Sequence, residues 1–429
     1  MKRVGLFACL LAALAVGVAV AQVAEDKYVA TGTVDRPDGM YRCGEEATFT
    51  VAITKNDELL KTGTFDYRLS NDGIGVLAEG QAPLGEQPTV IKGTLGVPGI
   101  LRLQVTKVGD KTVALIPVGA GYEVEKIAPS ADEPEDFFQY WEEQKALLRA
   151  IPEDMQMSKL DADSTDQQTT YQFSMANING SRVYGWLSIP TKEGPLPAML
   201  LVPAAGVKPY GPRWVTGWGG KGFLTIGIYA HNYPVDLPAE RYDELSAGAL
   251  AGYRHEGRDS RDTCYFRRVF LSCTRAMDYL MSRPEWDGTN LMVTGSSQGG
   301  GLSLVSAGLE PKVTAIAANV PALCDHTGIL IGRISGWPRL VEGPDKPSAA
   351  VAPYFDAVNF ARHVKCATVI SCGFADATCP ATSVYAAYSV LPEPKRMVPT
   401  PTMGHAQSKE YSALSGAFLQ ALGKMPEGQ

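Results

Sequence analysis

Histidine is scarce in this sequence, and its scarcity limits where proton-transfer chemistry can take place. Only five histidines occur among the 429 residues, and the first of them is His231. The chain before it therefore offers no imidazole to act as a base or as a metal ligand. We expect the first part of the chain to have a structural or positional role.

Dense runs of basic residues are also missing. The chain has 39 Lys and Arg against 46 Asp and Glu, which gives a formal net charge of −7 at pH 7. A surface that follows a phosphate backbone needs clustered positive charge. Nucleic acid is therefore not an expected partner. A chain of this length is expected to form two domains rather than one.

Long apolar runs are confined to the N-terminus. Two basic residues precede an apolar segment over residues 6–20, and Ala19-Val20-Ala21 supplies small residues for cleavage. This pattern predicts a signal peptide over residues 1–21 and a secreted or periplasmic protein. Cys9 leaves open a lipoprotein site, although most of the apolar segment follows it. No later run approaches the roughly 20 residues of a membrane span, so we expect none.

Cysteines are few and widely spaced. Seven of the eight remain once Cys9 is removed with the signal peptide, so at least one thiol must be free or paired between chains. No tight group of Cys and His with the spacing of zinc ligands occurs. We assign no disulfide pairing, and we expect no structural zinc and no cofactor.

The chain changes character near residue 119. From 22 to 118, short β-prone runs alternate with turn signals such as Asn71-Asp72-Gly73, and this spacing predicts a small immunoglobulin-like β-sandwich. Residues 119–134, rich in Gly, Pro, Ser and acidic residues, are the predicted linker. Residues 135–429 are the predicted catalytic domain, where apolar runs alternate with helical segments, as in a mainly parallel sheet covered on both faces.

One helix of the second domain carries a clear signal, and a motif follows it. Val269, Cys273, Ala276 and Leu280 recur at helical spacing. The apolar run NLMVTG then leads into Gly295-Ser296-Ser297-Gln298-Gly299. This G-x-S-x-G frame selects Ser297 as the nucleophile, in a strained turn between a strand and a helix that is typical of α/β hydrolases.

His405 is the predicted base for Ser297. In α/β hydrolases the order along the chain is Ser, then acid, then His. His231 and His255 precede Ser297, and His326 and His363 leave no room for an acid ahead of them in the expected arrangement. His405 follows the last apolar strand and lies in a loop that can reach the carboxyl edge of the sheet.

Asp376 is the predicted acid, because it directly follows the penultimate strand, CATVISC. Its role would be to hold the imidazole in the productive tautomer. Asp356 and Asp325 stay open as alternatives. The oxyanion of the tetrahedral intermediate needs donors, and the N–H of Gln298 is the first candidate. The second is the N–H of Val207, with Gly206 next and an ordinary turn as the other interpretation.

Two stretches of the chain resemble a known family. GSSQGGGLSLVSAGLEPKVTAIAANVPALCD, together with CGFADATCPATSVYAAYSVL and MGH, resembles the acetyl xylan esterase and cephalosporin C deacetylase family, carbohydrate esterase family seven. The resemblance extends from about Asp132 to the C-terminus. The sandwich and the GYEVEKIAPS segment resemble the added N-terminal region of longer exported members.

The resemblance implies an α/β-hydrolase fold and removal of acetyl groups from sugar hydroxyls without a cofactor. The expected substrate is an acetylated carbohydrate such as acetylated xylan or its oligosaccharides, and a homo-oligomer is a further expectation. Two other functions stay open at this stage. One is an exported peptidase or an esterase for a different acyl group, and the other is a non-catalytic glycan-binding protein on a hydrolase scaffold.

Overall fold

The computed structural model describes residues 26–423. The predicted signal peptide, residues 1–21, lies outside the described residues. Among the helices of residues 26–423, none has the length and the apolar character needed to cross a bilayer.

The N-terminal region consists of two β-sheets. In chain order its strands are β1 (Tyr28–Val34), β2 (Met40–Tyr41), β3 (Glu46–Lys55), β4 (Glu58–Leu59), β5 (Thr64–Asn71), β6 (Ile74–Pro83), β7 (Thr89–Thr94), β8 (Gly99–Val108) and β9 (Lys111–Tyr122). One sheet has the order β1-β3-β4, with β7 also paired to β3, and the other has the order β2-β9-β8-β5-β6. Side chains from both sheets share one apolar core, as the predicted sandwich requires.

Strand β8 is buried on both of its faces. Leu101, Leu103 and Val105 point into the core of the sandwich. Alternate side chains of a strand point to opposite faces, so Ile100 and Arg102 point the other way. Ile100 belongs to the large core of the second region, and Arg102 is only 2% exposed. The outer face of β8 is therefore a contact surface against the rest of the protein.

Strand β9 continues to Tyr122, beyond residue 118, where the sequence predicted the sandwich to end. Ala120 and Tyr122 are fully buried in the sandwich core. A Cβ atom on Gly119 would lie 2.8 Å from the Cβ of Phe374. The glycines that suggested a linker are thus explained by close packing of β9 against the second region.

The second region is built on a nine-stranded sheet. Its strands are β10 (Gln156–Lys159), β11 (Gln168–Ala176), β12 (Arg182–Pro190), β13 (Leu196–Leu201), β14 (Leu224–Ile228), β15 (Trp286–Ser296), β16 (Ala315–Asn319), β17 (Ala367–Gly373) and β18 (Lys395–Thr400). Their order is β10-β11-β12-β14-β13-β15-β16-β17-β18. The pairings from β14 to β18 are parallel and those from β10 to β14 are antiparallel.

Helices cover both faces of this sheet. They are α1 (Phe137–Arg149), α2 (Arg213–Gly219), α3 (Ala239–Ala247), α4 (Tyr265–Ser282), α5 (Gln298–Leu309), α6 (Pro347–Val351), α7 (Ala357–Ala361), α8 (Ala381–Val390) and α9 (Lys409–Leu422). Leu200 on β13 points into one apolar core and its neighbour Leu201 into the other. The mainly parallel sheet between two layers of helices confirms the predicted α/β-hydrolase fold.

The carboxyl ends of three parallel strands position the candidate site. Strand β15 ends at Ser296, β17 at Gly373 and β18 at Thr400. Because parallel strands end at the same edge of a sheet, the loops that follow them meet there. Helix α4 was predicted correctly, and its four periodic residues are all fully buried.

Candidate active site

Ser297 lies in a tight turn between β15 and α5. Its backbone has φ 59° and ψ −119°, a conformation that costs free energy for any residue with a side chain. Its N–H donates to the Asn319 carbonyl at 2.9 Å, and its own carbonyl accepts from the N–H of Ala322 at 2.9 Å. Bonds to the neighbouring strand and loop hold the turn in place, so the hydroxyl stays at the edge of the sheet.

The glycines around Ser297 lie against main-chain atoms. A Cβ atom on Gly295 would be 2.7 Å from the backbone of Gly299, and one on Gly299 would be 2.4 Å from the Val202 carbonyl oxygen. A Cβ atom on Gly300 would lie 2.6 Å from the Asn319 carbonyl oxygen. The motif therefore needs glycine because α5 begins in close contact with the ends of β13 and β16.

His405 connects Ser297 to Asp376. Its Nε2 lies 2.8 Å from the Ser297 Oγ, and its Nδ1 lies 2.7 Å from the Asp376 Oδ2. The side chain of His405 is 28% exposed, whereas that of Asp376 is fully buried. The structure thus brings together the three side chains that the sequence selected, in hydrogen-bond contact.

The surroundings of Asp376 determine the tautomer of His405. Asp376 Oδ1 accepts from the N–H groups of Thr378 and Cys379, at 2.8 and 2.9 Å. Both oxygens of the Asp376 carboxylate therefore act as acceptors. The Nδ1 of His405 must carry a proton, which it donates to the Asp376 Oδ2. The lone pair on Nε2 then faces the Ser297 hydroxyl, which is the arrangement that a general base requires.

The loops that carry the three side chains are bonded to one another. The N–H of Ala375 donates to the Met403 carbonyl at 3.1 Å, which joins the acid loop to the histidine loop. The Asn319 side chain donates to the Ser296 Oγ at 2.7 Å and to the Ala406 carbonyl at 3.4 Å. The three residues are held by one connected set of backbone and side-chain bonds.

The two alternative acids have other partners. Asp356 accepts from the N–H groups of Asp325, His326 and Val358, at 2.6 to 3.0 Å. Burial, together with repulsion from Asp325, raises the pKa of Asp356 to about 7. Asp325 accepts from the Ser130 N–H at 2.8 Å and pairs with Arg333. Both carboxylates brace loops, and neither has a hydrogen bond to His405.

The candidate oxyanion donors lie on the two elements that the sequence indicated. Gln298 is the first residue of α5, so its N–H has no acceptor within the helix. The N–H of Gly206 donates to the Tyr253 hydroxyl at 3.2 Å. The Val207 N–H has no acceptor among the hydrogen bonds of residues 26–423. Of the two candidates in this loop, Gly206 and Val207, Val207 is therefore the one whose N–H remains available to a ligand.

His231, which the sequence did not connect with this site, supports the same loop. Its Nε2 lies 3.0 Å from the Gly206 carbonyl oxygen, and its Nδ1 lies 2.8 Å from the Tyr265 hydroxyl. A carbonyl can only accept, so Nε2 carries the proton. Nδ1 then faces the Tyr265 hydroxyl as an acceptor, and the single proton of that hydroxyl is shared with the Ala230 carbonyl at 2.9 Å. Burial lowers the pKa of His231 to about 4, so the ring is neutral at physiological pH. The sequence carried no signal for this contact.

One group of potential metal ligands coincides with the candidate triad. Asp376, Cys379 and His405 each have a ligand atom within 4.8 Å of the others. Burial raises the pKa of the Cys379 thiol well above its usual range, which disfavours the thiolate that binds metals. A cation there would also compete with the bond between Asp376 and His405. The geometry therefore suits proton transfer better than metal binding.

Comparison with known proteins relates this geometry to a family. The model of the acetyl xylan esterase family (AXE1) matches residues 121–422. A curated acetyl esterase of Xylanibacter ruminicola is 32% identical over 397 residues, which cover 89% of this chain and 88% of the relative.

Solved structures show the same fold. Acetyl xylan esterase 1 of Thermoanaerobacterium sp. JW/SL YS485 superposes with a TM-score of 0.61 at 22% identity, covering 70% of this chain and 98% of that chain. The acetyl xylan esterase of Paenibacillus sp. R4 superposes with a TM-score of 0.60 at 25% identity and the same coverage.

Proposed function

This chain belongs to the acetyl xylan esterase family, and we propose that this carbohydrate acetyl esterase works through an acetylated Ser297. The observation that carries the proposal is the continuous set of hydrogen bonds from Ser297 through His405 to Asp376, with lengths of 2.8 and 2.7 Å. A serine hydroxyl becomes an effective nucleophile when an oriented base takes its proton.

In the first half of the reaction, the Ser297 Oγ attacks the carbonyl carbon of the acetyl ester, and the proton passes to the His405 Nε2. The buried carboxylate of Asp376 stabilises the imidazolium that forms. When the tetrahedral intermediate collapses, the bond from the carbonyl carbon to the sugar oxygen breaks. The sugar oxygen takes the proton from His405 and leaves as a hydroxyl.

The negative charge of the tetrahedral intermediate lies on the former carbonyl oxygen. The N–H of Gln298 begins α5, where unpaired amide groups and the helix dipole favour an anion. The N–H of Val207 supplies the second donor from the loop that follows β13. Tyr253 and His231 hold Gly206, and they would thereby keep the Val207 N–H in position.

In the second half, water attacks the acetyl-enzyme while His405 again takes a proton at Nε2. The carbonyl carbon separates from the Ser297 Oγ, which regains that proton from His405, and acetic acid leaves with the other proton of the water and ionises in solution. The protons exchanged with Ser297 and with the sugar oxygen thus all pass through His405. Neither half requires a metal ion or an organic cofactor.

The finer substrate assignment is acetylated xylan or its oligosaccharides, and it is supported by the family match. Export is also part of the proposal, since residues 1–21 have the pattern of a signal peptide and a polymeric substrate lies outside the cell.

Self-association of the chain is the remaining part of the proposal. The side chains of Ile329, Leu330 and Ile331 are 47%, 39% and 58% exposed, and contact with a second copy would cover them. Sedimentation velocity would test this self-association, and a monomer at all concentrations would contradict it.

Acetate release from acetylated xylan and from a small acetylated sugar tests the proposal, with wild type compared with Ser297→Ala. Ser296→Ala is the matched control, because Ser296 is the adjacent serine and its hydroxyl bonds to Asn319 rather than to His405. We expect release by wild type and by the control, and a loss of several orders of magnitude in kcat for Ser297→Ala.

Two results would count against the proposal. Equal release by Ser297→Ala and wild type would exclude Ser297 as the nucleophile. Hydrolysis of a peptide anilide without any release of acetate would assign the triad to a peptidase instead.

A further inference from the structure

An arginine of the N-terminal region reaches the loop that carries Asp376. The Arg102 Nη2 donates to the main-chain carbonyl of Asp376 at 2.7 Å, and its Nε donates to that of Phe374 at 3.4 Å. These positions are 272 and 274 residues away along the chain. The guanidinium therefore binds the backbone on both sides of Ala375, directly at the candidate acid.

Asp72 completes this contact from the same sheet. One of its oxygens pairs with Arg102, and the other accepts from the N–H and the hydroxyl of Thr382, at 3.0 and 2.6 Å. The side chains of Arg102 and Asp72 are each 3% exposed. Thr382 lies in the first turn of α8, directly after the acid loop. The pair thus holds the loop at Phe374 and Asp376 and again at its far end.

The neighbouring strand β9 contacts the histidine loop. The N–H of Gly119 donates to the Pro401 carbonyl at 2.9 Å, and Pro401 follows β18 on the way to His405. A Cβ atom on Gly119 would also lie 2.9 Å from the Phe374 carbonyl oxygen. The N-terminal sheet therefore touches the loops of both the acid and the base.

We propose that Arg102 is a positioning residue that sets the distance between Asp376 and His405 by holding the acid loop. The inference rests on the proposed function of the triad and extends it to the N-terminal region, which then forms part of the catalytic apparatus. Arg102 acts through the backbone of Asp376, since its hydrogen bonds are to the carbonyls of Phe374 and Asp376 and to Asp72 rather than to Ser297 or His405.

The buried pair of Arg102 and Asp72 is better suited to fixing geometry than to stabilising the fold. A buried pair adds little net stability compared with an apolar pair of the same shape. A planar guanidinium with five N–H donors can, however, satisfy a carboxylate and two carbonyls at once. A misplacement of about 1 Å in a catalytic group can cost roughly 100-fold in rate, so precise placement of Asp376 has a direct effect on kcat.

Arg102→Lys is the first test, in the full chain with a small acetate ester as substrate. Lysine keeps the positive charge beside Asp72, but it cannot span both carbonyls. We expect kcat to fall roughly 10- to 100-fold with KM within threefold of wild type. Arg68→Lys is the matched control, since Arg68 on β5 pairs with Glu79 at the surface, and we expect it to leave kcat unchanged.

Arg102→Ala allows a second test, in which added guanidinium ion is expected to restore kcat. Guanidinium ion added below denaturing concentrations should fill the vacated space beside Asp72 and raise kcat at least fivefold in a saturable way. Tetramethylammonium at equal ionic strength should have no effect.

Two outcomes distinguish failure of the positioning role of Arg102 from failure of the proposed function. Wild-type kcat in folded Arg102→Lys, with only a lowered Tm, would overturn the positioning role while Ser297-dependent hydrolysis remained. Absence of Ser297-dependent hydrolysis in the wild-type chain would instead refute the proposed function.

Discussion

The main-chain oxygen of Ala322 lies 2.3 Å from the point where a Cβ atom would stand on Gly301. The oxygen belongs to the backbone, so the loop after β16 or the start of α5 would have to shift to admit a methyl group. Gly301→Ala should therefore lower the free energy of unfolding by about 1–3 kcal/mol and reduce kcat, because α5 begins directly after Ser297. Denaturant unfolding and ester hydrolysis measure the two effects.

Gly416→Ala is the matched control for this substitution. Gly416 lies inside α9, and no atom would come within 4 Å of an added Cβ. Alanine at such a helical position should stabilise the protein by about 0.5–1 kcal/mol and leave kcat unchanged. Equal stability changes at the two positions would show that packing against Ala322 does not determine the need for glycine.

Asp376→Asn should lower kcat by roughly 10³- to 10⁴-fold with little change in overall structure. An amide at this position can donate to Nδ1 and so favour the wrong tautomer of His405. Steady-state kinetics with a small acetate ester measure the effect. Asp356→Asn is the control, because Asp356 binds backbone N–H groups elsewhere, and it should keep kcat within about threefold of wild type. A reversed outcome would move the role of acid to Asp356.

His231 makes the stability of the protein depend on pH. Burial lowers its pKa from 6.5 to about 4, so between these values the unfolded chain binds a proton that the folded chain does not. The free energy of unfolding must then decrease as the pH falls through this window, by about 2 kcal/mol between pH 7 and 4.5. Urea unfolding of His231→Gln over the same range should lack this contribution. Parallel pH profiles for variant and wild type would contradict it.

The reactivity of the thiols tests whether the cysteines of the mature protein are free. Seven cysteines lie in the described residues and none is paired there; six are buried and Cys43 is half-buried. Burial raises the pKa of Cys372 and Cys379, which lowers their thiolate fraction. A colorimetric thiol reagent should therefore react with at most one group in the native mature protein and with seven in denaturant. Fewer than seven in unreduced, denatured protein would indicate disulfides.

In the second region, the sequence predicted the strands that have apolar signals and missed β10, which has no such signal. The runs around Leu200, Val293 and Ile370 are long and buried on both sides, so hydrophobicity alone reveals them. Strand β10 has four exposed residues and no alternation, and it exists because it pairs with β11. The end of β9 was hidden by glycines whose role is evident only from their contact with Phe374.

The candidate site also contains residues that the sequence could predict and residues that it could not. Ser297, Asp376 and His405 each follow a strand, so chain order and topology were sufficient to select them. The supports of Gly206 depend on loop conformation and on contacts across the fold, which no local pattern encodes. The sequence carries only a weak signal for Arg102, which is a single charge between Leu101 and Leu103 in a buried strand and therefore requires a buried partner.

The contact between Arg102 and Asp376 also has a consequence for the order in which the protein gains its activity. A chain synthesised from its N-terminus completes the sandwich strands long before residue 376 exists, and contacts between distant residues are slow to form because of the entropy of loop closure. In the folded protein the Arg102 and Asp72 pair is almost fully buried, with each side chain 3% exposed. The bonds of Arg102 to Phe374 and Asp376 form only when both regions are folded and in contact, so we expect full catalytic competence to follow that contact rather than precede it.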